Sequence, residues 1–172
     1  MARWWMVAVA GLLLAGGAAK AEAAAEPGHP RARETVKVEA PKDKVWRVVG
    51  NFQDMSWLPV VERTEGQGGN KPGATRRLHL KGGAVVEEEL EQYDAEHMTY
   101  AYKITKVDPK VLPVTDYHSF VSVVPADKAP IVEWRSAFEP AAGTSADAAT
   151  KAVSGLYQMG LEAAKKRIEG GS

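Results

Sequence analysis

The stretch VVEEELEQ (residues 85–92) puts one carboxylate where it could do chemistry. Side chains alternate along a strand, so the parity that turns Val86 and Leu90 towards a core also turns Glu88 inward. A carboxylate among apolar groups is costly unless it is paired or protonated, and in such a place it can anchor a ligand or serve as acid or base. The same rule applied to MTYAYKI turns Met98, Tyr100, Tyr102 and Ile104 inward. In DYHSFVSVV it selects Tyr117, Ser119, Val121 and Val123, and in IVEWRSAF it selects Val132, Trp134, Ser136 and Phe138. Hydroxyls and an indole N–H each need a partner once buried. Apolar walls with a few convergent hydroxyls and one acid describe a small-molecule site better than a plain core. The competing reading makes residues 85–92 an edge strand, with Glu88 reaching water.

Other reactive arrangements are missing from the sequence. The absence of cysteine removes disulfides, thiol catalysis, thiolate metal sites and a lipoprotein anchor together. His29, His79, His97 and His118 share no ligand spacing, so no metal is expected. No G-x-S-x-G or comparable nucleophile motif occurs. The glycine-rich GQGGNKPGA runs into a strand and lacks the helix N-terminus that phosphate binding uses. Neither a catalytic residue nor a cofactor is therefore assigned. Acids and bases balance at 22 each, so no general field draws the chain to nucleic acid. The row Glu87, Glu89 and Glu91 points outward and could meet a basic partner.

The elements that must hold these residues follow from periodicity. ETVKVEA alternates as a strand with Val36 and Val38 on one face. PKDKVWRVVGNF changes to helical spacing, and DMSWLP, with Asp54 as N-cap and Pro59 as stop, is expected to form a second short helix. Six strands joined by short turns follow, the pattern of an antiparallel meander. The C-terminal segment is one long amphipathic helix capped by Ser145, with Val153, Leu156, Tyr157, Gly160, Leu161, Ala164 and Ile168 as its apolar stripe. An antiparallel sheet must cover its apolar face, and only that helix is large enough. The expected fold is α+β: a curved sheet of roughly seven strands wrapped around the long C-terminal helix, the helix-grip arrangement. A pocket left between them would be lined by Glu88, Tyr100, Tyr102, Tyr117, Ser119, Trp134, Leu156, Tyr157 and Gly160. Two readings of Gly160 stand side by side: room for a ligand, or close packing of helix on sheet.

One connection breaks the meander. DPKVLPV carries Pro109 and Pro113, which cannot join a regular ladder, and apolar Val111, Leu112 and Val114. Its expected role is a stiff rim that folds over the pocket mouth or onto a partner. The alternative is a passive connection whose apolar residues pack on the core.

The N-terminus has the layout of a secretory signal: Arg3, an apolar run from Trp4, then small residues with Ala19-Lys20-Ala21 as a cleavage site and Ala23 or Ala25 as alternatives. The run is shorter than the ~20 residues of a membrane span, so no stable membrane insertion is expected after cleavage. The expected division is a signal peptide over 1–21, a flexible leader over 22–33 and a single domain over 34–170, working in the periplasm.

VEAPKDKVWRVVGNFQDMSWLP and GAVVEEELEQYDAEHMTYAYKI resemble the opening and central strands of the START, polyketide-cyclase and lipid-transport superfamily. YAYKITKVDPKVLPVTDYHSF, VEWRSAFEP and AVSGLYQMGLEAAK resemble the MxaD-type proteins, periplasmic members from methanol-oxidation clusters. The resemblance implies a cavity for a hydrophobic small molecule and an accessory role beside methanol dehydrogenase and its cytochrome c. In ligand-binding relatives a glutamate at the place of Glu88 and an aromatic at the place of Tyr117 line the cavity, and loops near the place of the proline loop gate it. The superfamily has no universal catalytic residues, so none carries over. A cyclase-like enzyme using Glu88 or a tyrosine, and a carrier of lipid or another apolar ligand, remain as alternatives.

Overall fold

A computed structural model describes residues 31–170. The signal and most of the leader expected from the sequence lie outside the described residues. The elements run β1 (Arg31–Lys37), α1 (Lys42–Val49), β2 (Val61–Gln67), β3 (Thr75–Leu80), β4 (Val85–Asp94), β5 (Thr99–Lys106), β6 (Val114–Val124), β7 (Ile131–Pro140) and α2 (Ala146–Glu169). The seven strands form one sheet in the order β1-β7-β6-β5-β4-β3-β2. Every neighbouring pair is antiparallel. The meander and the long helix are as the sequence implies.

The core lies between the concave face of the sheet and α2. Val153, Tyr157, Leu161, Ala164 and Ile168 from the helix are buried against Val36, Val132, Trp134 and Phe138 from the strands. Ser145 caps α2 by accepting from the Ala148 N–H at 3.1 Å. The helix packs mainly on β1 and β7, at one end of the sheet order. Strands β3, β4 and β5 at the other end are left without a helix directly over them, and this asymmetry makes room for a cavity.

Two expectations are corrected. The DMSWLP segment is not a helix but a run of turns. The Asp54 carboxylate accepts from the Ser56 N–H at 2.9 Å, and the Leu58 N–H donates to the Met55 carbonyl at 2.9 Å. Too few residues separate Asp54 from Pro59 to repay helix nucleation, and Leu58, preceding proline, is biased away from the helical region. The first strand begins at Arg31, inside the stretch expected to be flexible. Its ladder with β7, from Arg31 opposite Ala137 to Lys37 opposite Ile131, orders residues that have no apolar periodicity of their own.

On the convex face the acidic row of β4 is answered across the sheet. Glu87 meets Arg77 at 3.4 Å, Glu89 meets Lys103 at 3.0 Å and Glu91 meets His118 at 2.9 Å. In the row expected to offer negative charge to a partner, Glu87 and Glu89 are thus matched by cations of the neighbouring strands.

Candidate functional site

Between β3–β5 and α2 lies a cavity of about 570 Å³. Leu78, Leu80, Val86 and Ile104 form its sheet wall, and Met55, Leu58 and Val60 come from the turns before β2. Ala152, Gly155, Leu156 and Met159 contribute from α2, and Val111 and Leu112 from the proline loop. Glu88, Tyr102, Tyr117 and Trp134 supply the polar groups at the inner side. The volume suits one small organic molecule, since such sites commonly span ~300–1,000 Å³.

The carboxylate of Glu88 does not stand alone. Arg76 lies directly opposite it on β3, and its Nε donates to Glu88 Oε2 at 2.5 Å. Both residues are buried, at 1% and 4% exposure, so each charge depends on the other. Arg76 also donates through Nη1 to the Phe52 carbonyl at 2.7 Å, and its guanidinium stacks over the Phe52 and Tyr102 rings. Burial pushes the Glu88 carboxyl above the usual carboxylate range while the Arg76 charge pulls against it. Arg76 is absent from the sequence-derived set, although it shares the parity of Leu78 and Leu80. That parity was its only signal.

The hydroxyls behind the cavity satisfy one another. Trp134 Nε1 donates to Ser119 Oγ at 3.0 Å and to Tyr102 Oη at 3.1 Å. Ser119 Oγ donates to the Arg135 carbonyl at 3.0 Å and lies 3.1 Å from Tyr157 Oη, which is in turn bonded to Tyr117 Oη. Burial pushes the phenols of Tyr102, Tyr117 and Tyr157 up, so they are neutral hydrogen-bonding groups and not bases at neutral pH.

Glu88, Tyr102, Tyr117, Trp134 and Leu156 are brought together on the cavity lining. Tyr100, Ser119, Tyr157 and Gly160 are not on it. Tyr100 packs among Phe52, Trp46 and Tyr93, while Ser119 and Tyr157 stand behind Tyr117 as its support. Gly160 is the close-packing case: a Cβ there would come within 2.8 Å of Leu58 Cδ1 and 3.0 Å of the Trp134 ring. The glycine that opens onto the cavity is Gly155, where a Cβ would meet nothing within 4 Å.

The proline loop borders the mouth. Asp108 folds it by accepting from Lys110 N–H on its carboxylate and from Val111 and Leu112 N–H on its carbonyl, at 2.8, 2.8 and 3.1 Å. Leu112 is 8% exposed and belongs to the core, whereas Val111 stays 39% exposed. Pro109 and Pro113 frame the turn without lining the cavity, and Val114 is buried at the start of β6. Among the described residues there is no cluster of His, Asp and Glu able to hold a metal.

A curved antiparallel sheet gripping a long C-terminal helix, with a ligand-sized cavity between them, defines the helix-grip class of binding and catalytic proteins. The chain belongs to the polyketide cyclase/dehydrase and lipid transport family, which it matches over residues 29–169. In structure it is similar to the protein XoxI from Bacillus cereus, with TM-score 0.71 and 25% identity over 80% of this chain and 94% of that one. A Thermobifida fusca protein is similar at TM-score 0.69 and 26% identity, over 81% and 93% of the two chains. Norcoclaurine synthase from Thalictrum flavum, in complex with dopamine and hydroxybenzaldehyde, shares the fold at TM-score 0.65 and 17% identity, over 84% and 89%. Among curated proteins none matches the chain in sequence.

Proposed function

We propose that the protein binds a hydrophobic small molecule without transforming it, and does so as an MxaD-type accessory factor of periplasmic methanol oxidation. The observation that carries the binding part is the cavity itself. About 570 Å³ is enclosed by mainly aliphatic walls, and the polar groups at its inner side are engaged with one another. The direct experiment is titration with the neutral dye N-phenyl-1-naphthylamine, whose emission rises in an apolar site. Saturable binding near one dye per chain is expected, and no binding by folded protein would end this reading.

The location and partner rest on the sequence layout of residues 1–21 and on the exposed apolar rim at Val111. The partners are methanol dehydrogenase or its cytochrome c, met by the rim and not by the acidic row, where Glu87 and Glu89 are already matched. Protein isolated from its native host is expected to lack residues 1–21 by intact mass and to raise the rate of methanol-to-cytochrome electron transfer. Retention of Met1, or an unaltered rate at every salt concentration, would leave the carrier reading without this setting.

An enzymatic reading is favoured by one observation, the elevated pKa of Glu88 at the cavity lining. The Arg76 contact argues against it, because a carboxylate committed to a buried cation is poorly placed to take a proton from substrate.

A further inference from the structure

We propose that the occupant of the cavity is an amphipathic anion, a single apolar chain bearing one negatively charged head, with the head held at the mouth by Lys81 and Lys151. This rests on the reading of the cavity as a ligand site. Three residues of the lining carry charge: Lys81, Lys151 and Glu88. The charge of Glu88 is answered inside the protein by Arg76 at 2.5 Å. The two lysine charges are not answered, since among the described residues neither ammonium has an ion-pair partner.

Backbone geometry sets both lysines at the opening. Lys81 starts the turn between β3 and β4, and its N–H donates to the Val60 carbonyl at 2.9 Å. Lys151 lies on α2 one helical turn before Gly155 and two before Met159, so the three share a face that borders the cavity. Both lysines are exposed. Apolar surface stands beside them, with Val111 and Met159 left 39% and 43% exposed at the same rim.

The chemistry of the occupant follows from this arrangement. A wholly neutral ligand would gain nothing from the two exposed lysines, and a cationic one would be repelled. An anionic head at the mouth meets both lysines and keeps contact with water, avoiding the cost of burying a charge. The reverse orientation would bury the head in the apolar interior, where the Arg76 cation is already taken by Glu88 and a buried charge without a partner is costly. The apolar tail then fills the aliphatic interior.

The test compares dodecanoate with dodecanol, which share a tail and differ in head charge, as competitors of N-phenyl-1-naphthylamine at concentrations below micelle formation. Dodecanoate is expected to displace the dye at about fivefold or more lower concentration than dodecanol, as two partly exposed charge contacts would give. That preference is expected to shrink as salt is raised. In Lys81→Gln/Lys151→Gln, checked for folding by its melting temperature, the ratio between the two competitors should fall towards one. Failure of the dye to bind the parent protein would remove the cavity reading itself. Dye binding with no preference for dodecanoate, or a preference that survives the double substitution, would overturn the anion alone. Sedimentation with phosphatidylglycerol vesicles that depends on the two lysines would assign them to a lipid surface and also overturn it.

Discussion

Arg76→Met is expected to cost about 3–5 kcal/mol of stability at neutral pH, because it leaves the Glu88 carboxylate buried with no counter-charge. The carboxylate has little access to water at 4% exposure and depends on the 2.5 Å contact from Arg76. Burial already holds its folded-state pKa above the unfolded value, and removing Arg76 takes away the influence that opposes the rise. A carboxyl shifted upward contributes stability that is complete below its unfolded pKa and is lost as pH rises through the folded one. The deficit of the variant should therefore be smallest in acid and should grow as pH rises above the ordinary carboxyl value of 4.5. Arg76→Met/Glu88→Leu removes both charges and should regain most of the loss, since apolar pairs of similar volume replace buried ion pairs at little cost. Urea midpoints of parent, single and double variants across that pH range decide the matter. A double variant as unstable as the single one, or a deficit independent of pH, would mean that Glu88 is not what Arg76 compensates.

That pair also shows what the sequence could and could not reveal. Alternation along β4 was enough to turn Glu88 inward, because Val86 and Leu90 flank it at the right spacing. The same alternation along β3 turns Arg76 inward with Leu78 and Leu80. Only the register of the two strands, Arg76 opposite Glu88, makes the inward arginine and the inward acid a pair. Register depends on turn geometry between the strands, and the Lys81-Gly82-Gly83 turn allows more than one. The tyrosines illustrate a second limit. Parity separates the two faces of a sheet but not positions along it, so Tyr100 and Tyr102 received one role from the sequence. The structure gives Tyr102 to the cavity and Tyr100 to an aromatic cluster with Trp46, Phe52 and Tyr93. The segment before β2 failed for a local reason. Asp54 and Pro59 read equally well as a helix cap and stop or as turn formers, and packing of Trp57 and Leu58 onto α2 selects the turns.

Gly155→Leu and Gly160→Leu are expected to have opposite effects, although the two glycines are five residues apart on the same helix. Gly160 sits where Leu58, Trp57 and Trp134 close on α2, and the two indoles meet edge to face at 5.4 Å. Trp134 is pinned by stacking on Tyr157 at 4.1 Å and by its bonds to Ser119 and Tyr102, so it cannot withdraw from a new side chain. Overpacking at such a point costs on the order of 3 kcal/mol, and a lowered melting temperature should report it. Gly155 faces the cavity, and a Cβ added there would have no neighbouring atom within 4 Å, so leucine enters without a clash. There it should raise stability by up to about 1 kcal/mol, the usual helix-interior gain on replacing glycine. The added side chain occupies space the ligand would use, and affinity for N-phenyl-1-naphthylamine should fall about tenfold, the equivalent of ~1.4 kcal/mol. Unimpaired dye binding by folded Gly155→Leu would place the ligand elsewhere. A Gly160→Leu protein as stable as the parent would restore the ligand-space reading of that glycine and return the site to the β7 end of the sheet.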